Sequence, residues 1–199
     1  MKGKISVLCV TGEDVSEYFE EIATLRTQVF REYPYLYDGN MEYEKEYLQP
    51  YLASDKSIAV LGFCDNLLVG VSTGVPLTDE ADDMQRPFRN QGYDITKIFY
   101  YGESVVLPEY RGYGLGKQFF QAREAHARRC DHFNLLSFFA VNRPENHPRR
   151  PKDYRPLNGY WEQQGFKEIP SLQTTFTWQD LDEQSPSPKQ LTSWAKPLE

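Results

Sequence analysis

A glycine-rich run between residues 105 and 117 carries the clearest chemical signal in this chain. A predicted strand ends at Pro108, and glycines at positions 112, 114 and 116 open an amphipathic helix. The first N–H groups of a helix have no intrahelical acceptor, and the helix dipole makes that end positive. Glycines there let the main chain wrap closely around a bound anion. The run therefore predicts a cradle for a phosphate or diphosphate group.

Two common phosphate-binding loops do not fit this run. A P-loop requires Ser or Thr after Gly-Lys, and Gly116-Lys117 is followed by Gln118. The dinucleotide-binding fingerprint is G-x-G-x-x-G, whereas the spacing from Gly112 is G-x-G-x-G. A tight turn that uses its glycines only for packing stays open as the plainer explanation.

Composition limits the class of protein. The chain has 199 residues, with 22 Lys and Arg against 29 Asp and Glu, and a formal net charge of -7. This balance argues against nucleic-acid binding, and no apolar run has the length that spans a membrane. The cysteines at positions 9, 64 and 130 are far apart, so we expect no disulfide framework, no metal site and a cytoplasmic location. Aromatic residues make up 15% of the chain, enough to line a pocket as well as fill a core.

The predicted element order is β-α-α-β-β-β-α-β-α-β-β, which indicates a mixed α/β layer. Strands are predicted over residues 98–107 and 135–141, with a crossover helix over 114–129 between them. A strand–helix–strand unit of this kind should be parallel and right-handed.

Two segments lack a regular pattern. Residues 78–96 are polar without periodicity, and they are predicted to form a long loop. Residues 182–199 hold prolines at positions 186, 188 and 197, and they are predicted to form a surface tail. The remaining residues, 1–181, are predicted to be a single domain.

The glycine-rich run resembles motif A of the GNAT superfamily, the CoA-dependent N-acetyltransferases. The resemblance covers Val106-x-Pro108-x-x-Arg111-Gly112 and the family's pyrophosphate signature, here Arg111-Gly112-Tyr113-Gly114-Leu115-Gly116. A second segment, Trp161-Glu162-Gln163-Gln164-Gly165-Phe166, resembles the family's later Tyr-x-x-x-Gly-Phe motif. The two motifs stand in the family's order.

The resemblance implies a fold and a cosubstrate. The fold would be a mixed, strongly twisted sheet in which two parallel strands splay apart, as in acyl-CoA N-acyltransferases. The cosubstrate would be acetyl-CoA, with no metal. The pantetheine arm would follow the main chain of Val105, Val106 and Leu107, and the pyrophosphate would lie on Arg111, Gly112, Tyr113, Gly114, Leu115, Gly116 and Lys117.

In such an enzyme an amine attacks the thioester carbonyl directly, and some group must take the proton of the amine. Glu103 lies just before the CoA-contacting segment, where related enzymes often carry a catalytic Glu. By strand alternation it should share a face with Tyr101 and Phe99. A salt-bridged, structural Glu103 is the alternative.

The proton donor departs from the family pattern. Many members have Tyr at the position of Trp161, and an indole cannot donate a useful proton. Tyr160 and Tyr154 are the candidates that remain, although either ring could serve only for packing.

The acceptor site is predicted between the tyrosine-rich segment 33–43 and the acidic segment 78–96. Tyr33, Tyr35, Tyr37 and Tyr101 are the expected binding residues. Aromatic faces and carboxylates together suit a cationic amine. The basic run 143–155 would argue the other way if it faces the same cavity, or it could clamp the 3′-phosphate of CoA.

The sequence thus predicts a cytoplasmic N-acetyltransferase that uses acetyl-CoA to acetylate a primary amine of a small molecule or peptide. Nucleic-acid and membrane partners are not expected, and a homodimer is left open. A CoA-binding sensor without turnover, favoured by Trp161, is one alternative. A protein-interaction module with a purely structural glycine turn is another.

Overall fold

A seven-stranded mixed sheet forms the centre of the molecule in the computed structural model, which describes residues 3–130 and 132–198. Its strands are β1 (Ile5–Thr11), β2 (Ile58–Cys64), β3 (Leu67–Pro76), β4 (Ile98–Val106), β5 (Leu135–Val141), β6 (Lys167–Trp178) and β7 (Ser187–Pro197). Their spatial order is β1-β2-β3-β4-β5-β7-β6. β4 and β5 are parallel, and the other neighbours are antiparallel. The predicted mixed α/β fold class is confirmed.

Helices pack on both faces of this sheet. They are α1 (Phe19–Val29), α2 (Met41–Ala53), α3 (Asp82–Asn90), α4 (Leu115–Arg129) and α5 (Asn158–Gln163). A side chain at Gly102 of β4 would collide with Tyr51 of α2, whereas the preceding Tyr101 lies under Arg123 of α4. Since adjacent strand residues point to opposite faces, α2 and α4 lie on opposite sides of β4. Within residues 3–130 and 132–198, no helix is long and apolar enough to cross a membrane.

β4 and β5 separate soon after they pair. Their parallel ladder joins residues 98–100 only to residues 135–137. Beyond that point β4 stays paired with β3, and β5 stays paired with β7. The edge of β4 that faces β5 is therefore open after Tyr100, as expected for a splayed parallel pair.

β4 contains a bulge at Gly102 and Glu103. Two residues of β4 stand opposite Thr73 of β3 at this point, so the strand gains one residue relative to its partner. The register passes from Ser72↔Ser104 to Gly74↔Tyr101 across the bulge.

The bulge decides which way Glu103 points. Phe99 lies 5.6 Å from the ring of His126 in α4, and Tyr101 faces the same helix. Glu103 points to the other face, where it binds Arg26 of α1. The prediction that Glu103 shares a face with Tyr101 and Phe99 is therefore wrong, because an extra residue reverses the alternation.

Arg123 of α4 holds this bulge. Its guanidinium donates to the carbonyl oxygens of Thr73 (3.1 Å) and Glu103 (3.2 Å). It also donates to Ser104 Oγ (2.9 Å) and lies 4.0 Å over the ring of Tyr101. Burial lowers the pKa of Arg123 to about 10, which leaves it protonated at neutral pH. Carbonyl groups that the bulge removes from the β-ladder thus find a charged donor.

The predicted loop over residues 78–96 is instead largely helical. It contains α3, flanked by short 3-10 turns at Leu77–Asp79 and Ile95–Lys97. Met84 and Phe88 lie four residues apart and are both buried, so they form the apolar face of α3. A face of only two residues was too short to reveal a helical period in a polar segment.

The predicted surface tail supplies β7, which pairs with β5 on one side and β6 on the other. Residues 191–195 are buried, between β5 and the edge strand β6. Pro188 and Pro197 misled the prediction, but they lie near the two ends of the strand, where a missing N–H is tolerated.

Glu80 is a fully buried carboxyl group in this core. It accepts hydrogen bonds from Tyr51 Oη and from the N–H of Ala81. Burial raises the pKa of Glu80 to about 7. An unfolded Glu titrates near pH ~4.3, so between these values the unfolded chain loses a proton that the folded chain keeps. The free energy of unfolding must therefore fall as the pH rises from about 4.5 to about 7.

Replacing Glu80→Gln should remove this slope, because Gln keeps the shape and can still accept a bond from Tyr51. The unfolding free energy of the variant minus that of the parent protein should rise by about 3 kcal/mol between pH 4.5 and pH 8. Urea unfolding of both proteins across this range measures the gain. A difference between the two proteins that does not change with pH would contradict the assignment.

Candidate active site

A cavity of about 1180 Å³ opens where β4 and β5 separate. It runs from the turn before α4, along the open edge of β4, to a group of aromatic side chains around α1 and α2. Typical small-molecule sites measure roughly 300–1,000 Å³. The cavity therefore has room for a long ligand together with a second, smaller molecule.

The turn before α4 has the geometry of an anion cradle. Gly112 and Gly114 have φ angles of 81° and 85°, in the left-handed region that favours glycine. A Cβ at either position would meet no heavy atom of the described residues within 4 Å. The first N–H groups of α4 have no intrahelical acceptor, and Gly114, its N-cap, has no side chain to cap them. Open space therefore lies next to unpaired donors.

Most of the predicted cofactor residues line this cavity. Leu107 and Tyr113 lie outside its described lining. The N–H of Leu107 donates to the carbonyl of Val69 in β3 at 2.9 Å, so by alternation the N–H of Val106 points toward the open edge. The predicted residues that line the cavity are Val105, Val106, Arg111, Gly112, Gly114, Leu115, Gly116 and Lys117.

Arg26 of α1 joins two carboxylates at the inner end of the cavity. Its Nε donates to Glu44 Oε2 at 2.5 Å, and its NH1 donates to Glu103 Oε2 at 2.7 Å. Burial alone would lower the pKa of Arg26, but the charges of Glu103 and Glu44 outweigh burial, and the pKa lies well above its usual value. We call these three buried residues the Arg26 triad.

One oxygen of Glu103 has no partner. Among the described residues, Glu103 Oε1 is buried without a hydrogen-bond partner, whereas Glu44 lies close to the hydroxyl of Tyr37. Glu103 lines the cavity, whereas Glu44 lies behind Arg26 and outside the lining. Glu103 therefore combines a fixed oxygen with an available one, which is the geometry a proton acceptor needs.

Tyr160 and Tyr154 also line the cavity. The hydroxyl of Tyr160 is buried without a partner in the described part of the chain. It lies 3.0 Å from the position of a Cβ on Gly116, next to the first turn of α4. The ring of Tyr154 packs edge-on against Tyr33, with centroids 4.6 Å apart. Burial raises the pKa of both phenols, so both remain protonated at neutral pH.

Trp161 takes a packing role beside them. Its ring centroid lies 5.1 Å from that of Phe138 and 5.1 Å from that of Trp194. These contacts join α5 to β5 and β7. Tyr160, the adjacent residue, lines the cavity.

The predicted acceptor residues Tyr33, Tyr35, Tyr37 and Tyr101 all line the cavity. They do not form one group, because Tyr101 faces α4 while Tyr35 and Tyr37 lie near α1 and α2. Several further aromatic rings surround Tyr35 and Tyr37. We call this group the aromatic compartment: Phe30, Tyr35, Tyr37, Tyr43, Tyr47, Tyr100, Phe139 and Trp178.

Arg143 holds the tyrosine-rich segment against the sheet. Its guanidinium donates to the carbonyls of Pro34 (2.7 Å) and Tyr35 (2.7 Å). It also forms a two-pronged bond to Asp180, at 2.7 and 2.9 Å. Trp178 Nε1 adds a bond to the carbonyl of Tyr35 at 3.1 Å. All of these bonds of Arg143 are structural. Of the arginines in the basic run, Arg149 and Arg155 are the ones in the described cavity lining.

The acidic segment 78–96 does not wall the cavity as predicted, and Met84 is its one contribution to the described lining. Asp82 and Asp83 pair with Arg86 on the exposed face of α3, each at 2.7 Å. Asp79 accepts a bond from Ser54 Oγ at 2.5 Å. The prediction was wrong because α3 turns its apolar face inward and its carboxylates to solvent.

The sequence patterns did not indicate a role for Arg26 or Glu44 of the triad. A signal for Arg26 was present, since it interrupts the apolar stripe of Ile22, Leu25 and Val29 in α1. A charge in such a stripe is buried only with a partner. The partners come from α2 and β4, and their identity depends on the tertiary fold.

Comparison with solved structures identifies the fold. An N-acetyltransferase from Staphylococcus aureus Mu50 has a TM-score of 0.60 at 13% identity, covering 98% of this chain and 99% of that chain. A GNAT-family acetyltransferase from the same organism has a TM-score of 0.57 at 12% identity, covering 98% and 100%. The yncA protein of Salmonella typhimurium, named as an acetyltransferase and solved with its cofactor acetyl-CoA, has a TM-score of 0.59 at 11% identity, covering 98% and 94%. This chain therefore has the fold of the GNAT superfamily.

Sequence comparisons add no relative. No protein-family model and no curated protein matches this sequence. The likeness to known proteins therefore rests on the fold.

The glycine cradle can be tested with Gly114→Asp, because a carboxylate there would cap the N–H groups of α4 and repel a diphosphate. The parent protein should gain roughly 2.7 kcal/mol of stability at acetyl-CoA concentrations 100 times its Kd, seen as a rise in Tm. The variant should lose this rise. Gly92→Asp is the matched control, since Gly92 also has a positive φ and open space around it. If acetyl-CoA raises the Tm of Gly114→Asp as in the parent, the cradle does not hold the diphosphate.

Proposed function

We propose that this protein is an N-acetyltransferase that uses acetyl-CoA to acetylate the primary amine of a small molecule or peptide. One observation carries the proposal: a single cavity joins the glycine cradle, the open edge of β4 and a buried carboxylate with an available oxygen. Each of these three features serves a different part of an acetyl transfer. The fold shared with the GNAT acetyltransferases supports the same conclusion.

The residues present fit acetyl-CoA. The N–H groups at the start of α4 and the space above Gly112 and Gly114 suit its diphosphate. The open edge of β4 at Val106 suits the amide groups of its pantetheine arm, because an extended chain can pair with a free strand edge. Lys117 and Arg149 add positive charge to the same part of the cavity lining. When bound, acetyl-CoA supplies an acetyl group activated as a thioester.

Glu103 is the proposed general base. An alkylamine has a pKa near ~10.4 and enters a neutral site as an ammonium ion, so it must lose a proton before its nitrogen lone pair can attack. Arg26 holds Oε2 of Glu103 at 2.7 Å, and Oε1 remains available to accept that proton. Because Arg26 and Glu44 also bind each other, the carboxylate is held in place from behind.

Two further groups of the protein can take part in the reaction, one as a donor to the oxyanion and one as a proton donor to the thiolate. Another main-chain N–H on the open edge of β4, beyond the one that pairs with the pantetheine arm, can donate to a developing oxyanion. Tyr160 keeps its proton at neutral pH, lines the cavity and has a buried hydroxyl without a partner among the described residues. A leaving thiolate needs such a donor, and we assign this role to Tyr160. Tyr154, whose ring is packed on Tyr33, is assigned to the wall of the cavity.

The alternative of a sensor without turnover rested on Trp161. Its packing between Phe138 and Trp194 gives it a structural role. The adjacent Tyr160 offers the hydroxyl that Trp161 lacks, so the observation that favoured a sensor no longer does.

Glu103→Gln should lower kcat at pH 7 by about 100-fold, because the amide cannot take the proton. Activity should recover as the pH approaches the pKa of the amine, where the acceptor is already neutral. Arg26 remains paired with Glu44 in this variant, so the fold should persist. Glu80→Gln, which removes a buried carboxyl outside the cavity lining, is the control. Parallel pH–rate profiles for Glu103→Gln and the parent protein would assign Glu103 a structural role.

Tyr160→Phe and Tyr154→Phe form a matched pair, since each removes one hydroxyl and keeps the ring. Loss of the proton donor should lower kcat by about 10- to 100-fold in Tyr160→Phe, with acetyl-CoA binding retained. Tyr154→Phe should change kcat by less than about threefold, within the scatter of packing effects. Steady-state release of CoA measures both. If kcat falls more in Tyr154→Phe than in Tyr160→Phe, the proton donor is Tyr154 and Tyr160 belongs to the wall of the cavity.

A further inference from the structure

The charges of the cavity are divided between its two ends. The lining near the glycine cradle and the basic run contains Arg111, Lys117, Arg149 and Arg155. The inner end contains the Arg26 triad, in which one guanidinium faces two carboxylates. Arg123, the other buried guanidinium of the lining, already donates to main-chain carbonyls and to Ser104. Arg26 binds Oε2 of Glu103, and Oε1 is left buried without a partner in the described structure. A buried carboxylate oxygen without a donor is unfavourable, so this end of the cavity favours a ligand that brings a positively charged donor.

The available oxygen of Glu103 is where such a cation would bind. Oε1 of Glu103 is buried and unpartnered within the described structure, and Glu103 lines the cavity. Glu44 contributes its charge from behind Arg26 without reaching the cavity. The two carboxylates therefore have different roles, because one contacts the ligand and the other sets the charge around it.

The walls near this oxygen are aromatic. Arg26 lies 3.8 Å over the ring of Tyr47, and Tyr47 stacks with Tyr43 at a centroid distance of 6.4 Å. Tyr35 packs between Phe30 and Trp178, at 4.5 and 6.1 Å. Burial raises the pKa of Tyr35 to about 12 and that of Tyr47 well above its usual value, so these phenols are uncharged. The aromatic compartment thus surrounds the Glu103 oxygen with neutral, largely apolar surface.

A second positive charge on the ligand would find no partner in this compartment. The other carboxylates of the described cavity lining are Glu32, Asp153 and Glu168. Glu32 already pairs with Arg111 at 2.8 Å. Asp153 belongs to the basic run, and Glu168 lies at the opposite end of β6 from Trp178. Two or more ammonium groups, or a phosphate, would therefore be unfavourable at the inner end.

From the Arg26 triad and the aromatic compartment we infer that the acceptor is a primary amine with a single positive charge and an apolar, aromatic-sized body. This inference rests on the proposed function and narrows its substrate class. The ammonium group binds Glu103 Oε1, and the body packs among Tyr35, Tyr47 and Trp178. Polyamines, amino sugars carrying phosphate and strongly polar peptide termini are disfavoured.

Equilibrium binding tests the inference independently of turnover. Isothermal titration of the parent protein would compare phenethylamine with 2-phenylethanol and 3-phenylpropanoate, which keep the ring and change the charge from positive to neutral or negative. Ethylamine keeps the charge and removes the ring, and spermidine adds further charges. Phenethylamine should bind at least about tenfold more tightly than each of the other four. Equal or tighter binding of 2-phenylethanol, 3-phenylpropanoate or spermidine would overturn the inference.

Glu44→Gln examines the origin of the preference, because it removes a carboxylate bound to Arg26 without altering the cavity wall. Affinity for phenethylamine should fall about tenfold, whereas affinity for 2-phenylethanol should change by less than about twofold. Glu42→Gln removes the same charge from an exposed position of the same helix and should leave both affinities unchanged. Equal effects of the two variants would contradict the triad as the source of selectivity. If Glu44→Gln does not fold, the ligand series on the parent protein still gives the answer.

Release of CoA from acetyl-CoA, measured with the same amines, separates the two proposals. A higher kcat/KM for spermidine than for phenethylamine would overturn the substrate class and leave the N-acetyltransferase proposal standing. Selective binding of phenethylamine without CoA release from any amine would overturn the proposed function and leave the binding preference standing.

Discussion

The contact between Arg123 and the bulge of β4 is the constraint on which the rest of the site depends. A regular strand would direct Glu103 toward α4, as strand alternation demands. With one extra residue, β4 turns Glu103 toward Arg26 and leaves main-chain carbonyls outside the ladder. Arg123 satisfies those carbonyls from the opposite face and stacks on Tyr101. Two arginines, one on each side of the sheet, therefore hold one short stretch of backbone in place.

Two clusters of buried charge in this protein differ in how completely their groups are paired. Arg26, Glu44 and Glu103 are shielded from water, and such groups are costly unless each finds a partner. The triad leaves Oε1 of Glu103 unsatisfied among the described residues, which a purely structural network would avoid. Arg143 and Asp180 provide the contrast, because their groups satisfy one another and fix the tyrosine-rich segment. The charged groups of Arg143 and Asp180 are paired with each other, whereas the Arg26 triad keeps an oxygen that a ligand can bind.

The predictable part of the site was the part encoded by neighbouring residues. Glycines at 112, 114 and 116 act within one turn, so their spacing indicated the cradle directly. The Arg26 triad draws on α1, α2 and β4, and no local pattern could reveal which carboxylates would meet the guanidinium. Residues 187–197 were mistaken for a tail because prolines at strand ends resemble prolines in coil. Helix α3 was overlooked because only Met84 and Phe88 mark its buried face.

The position of β7 has a consequence for the order of assembly during synthesis. β6 is made before β7, yet in the finished sheet it touches only β7 among the described strands. Until residues 187–197 leave the ribosome, β6 has no neighbouring strand to pair with. Strands β2 to β5 each pair with a strand made before them and can form a sheet as they emerge. The nascent chain would thus build its cofactor cradle first and close the far wall of the cavity last.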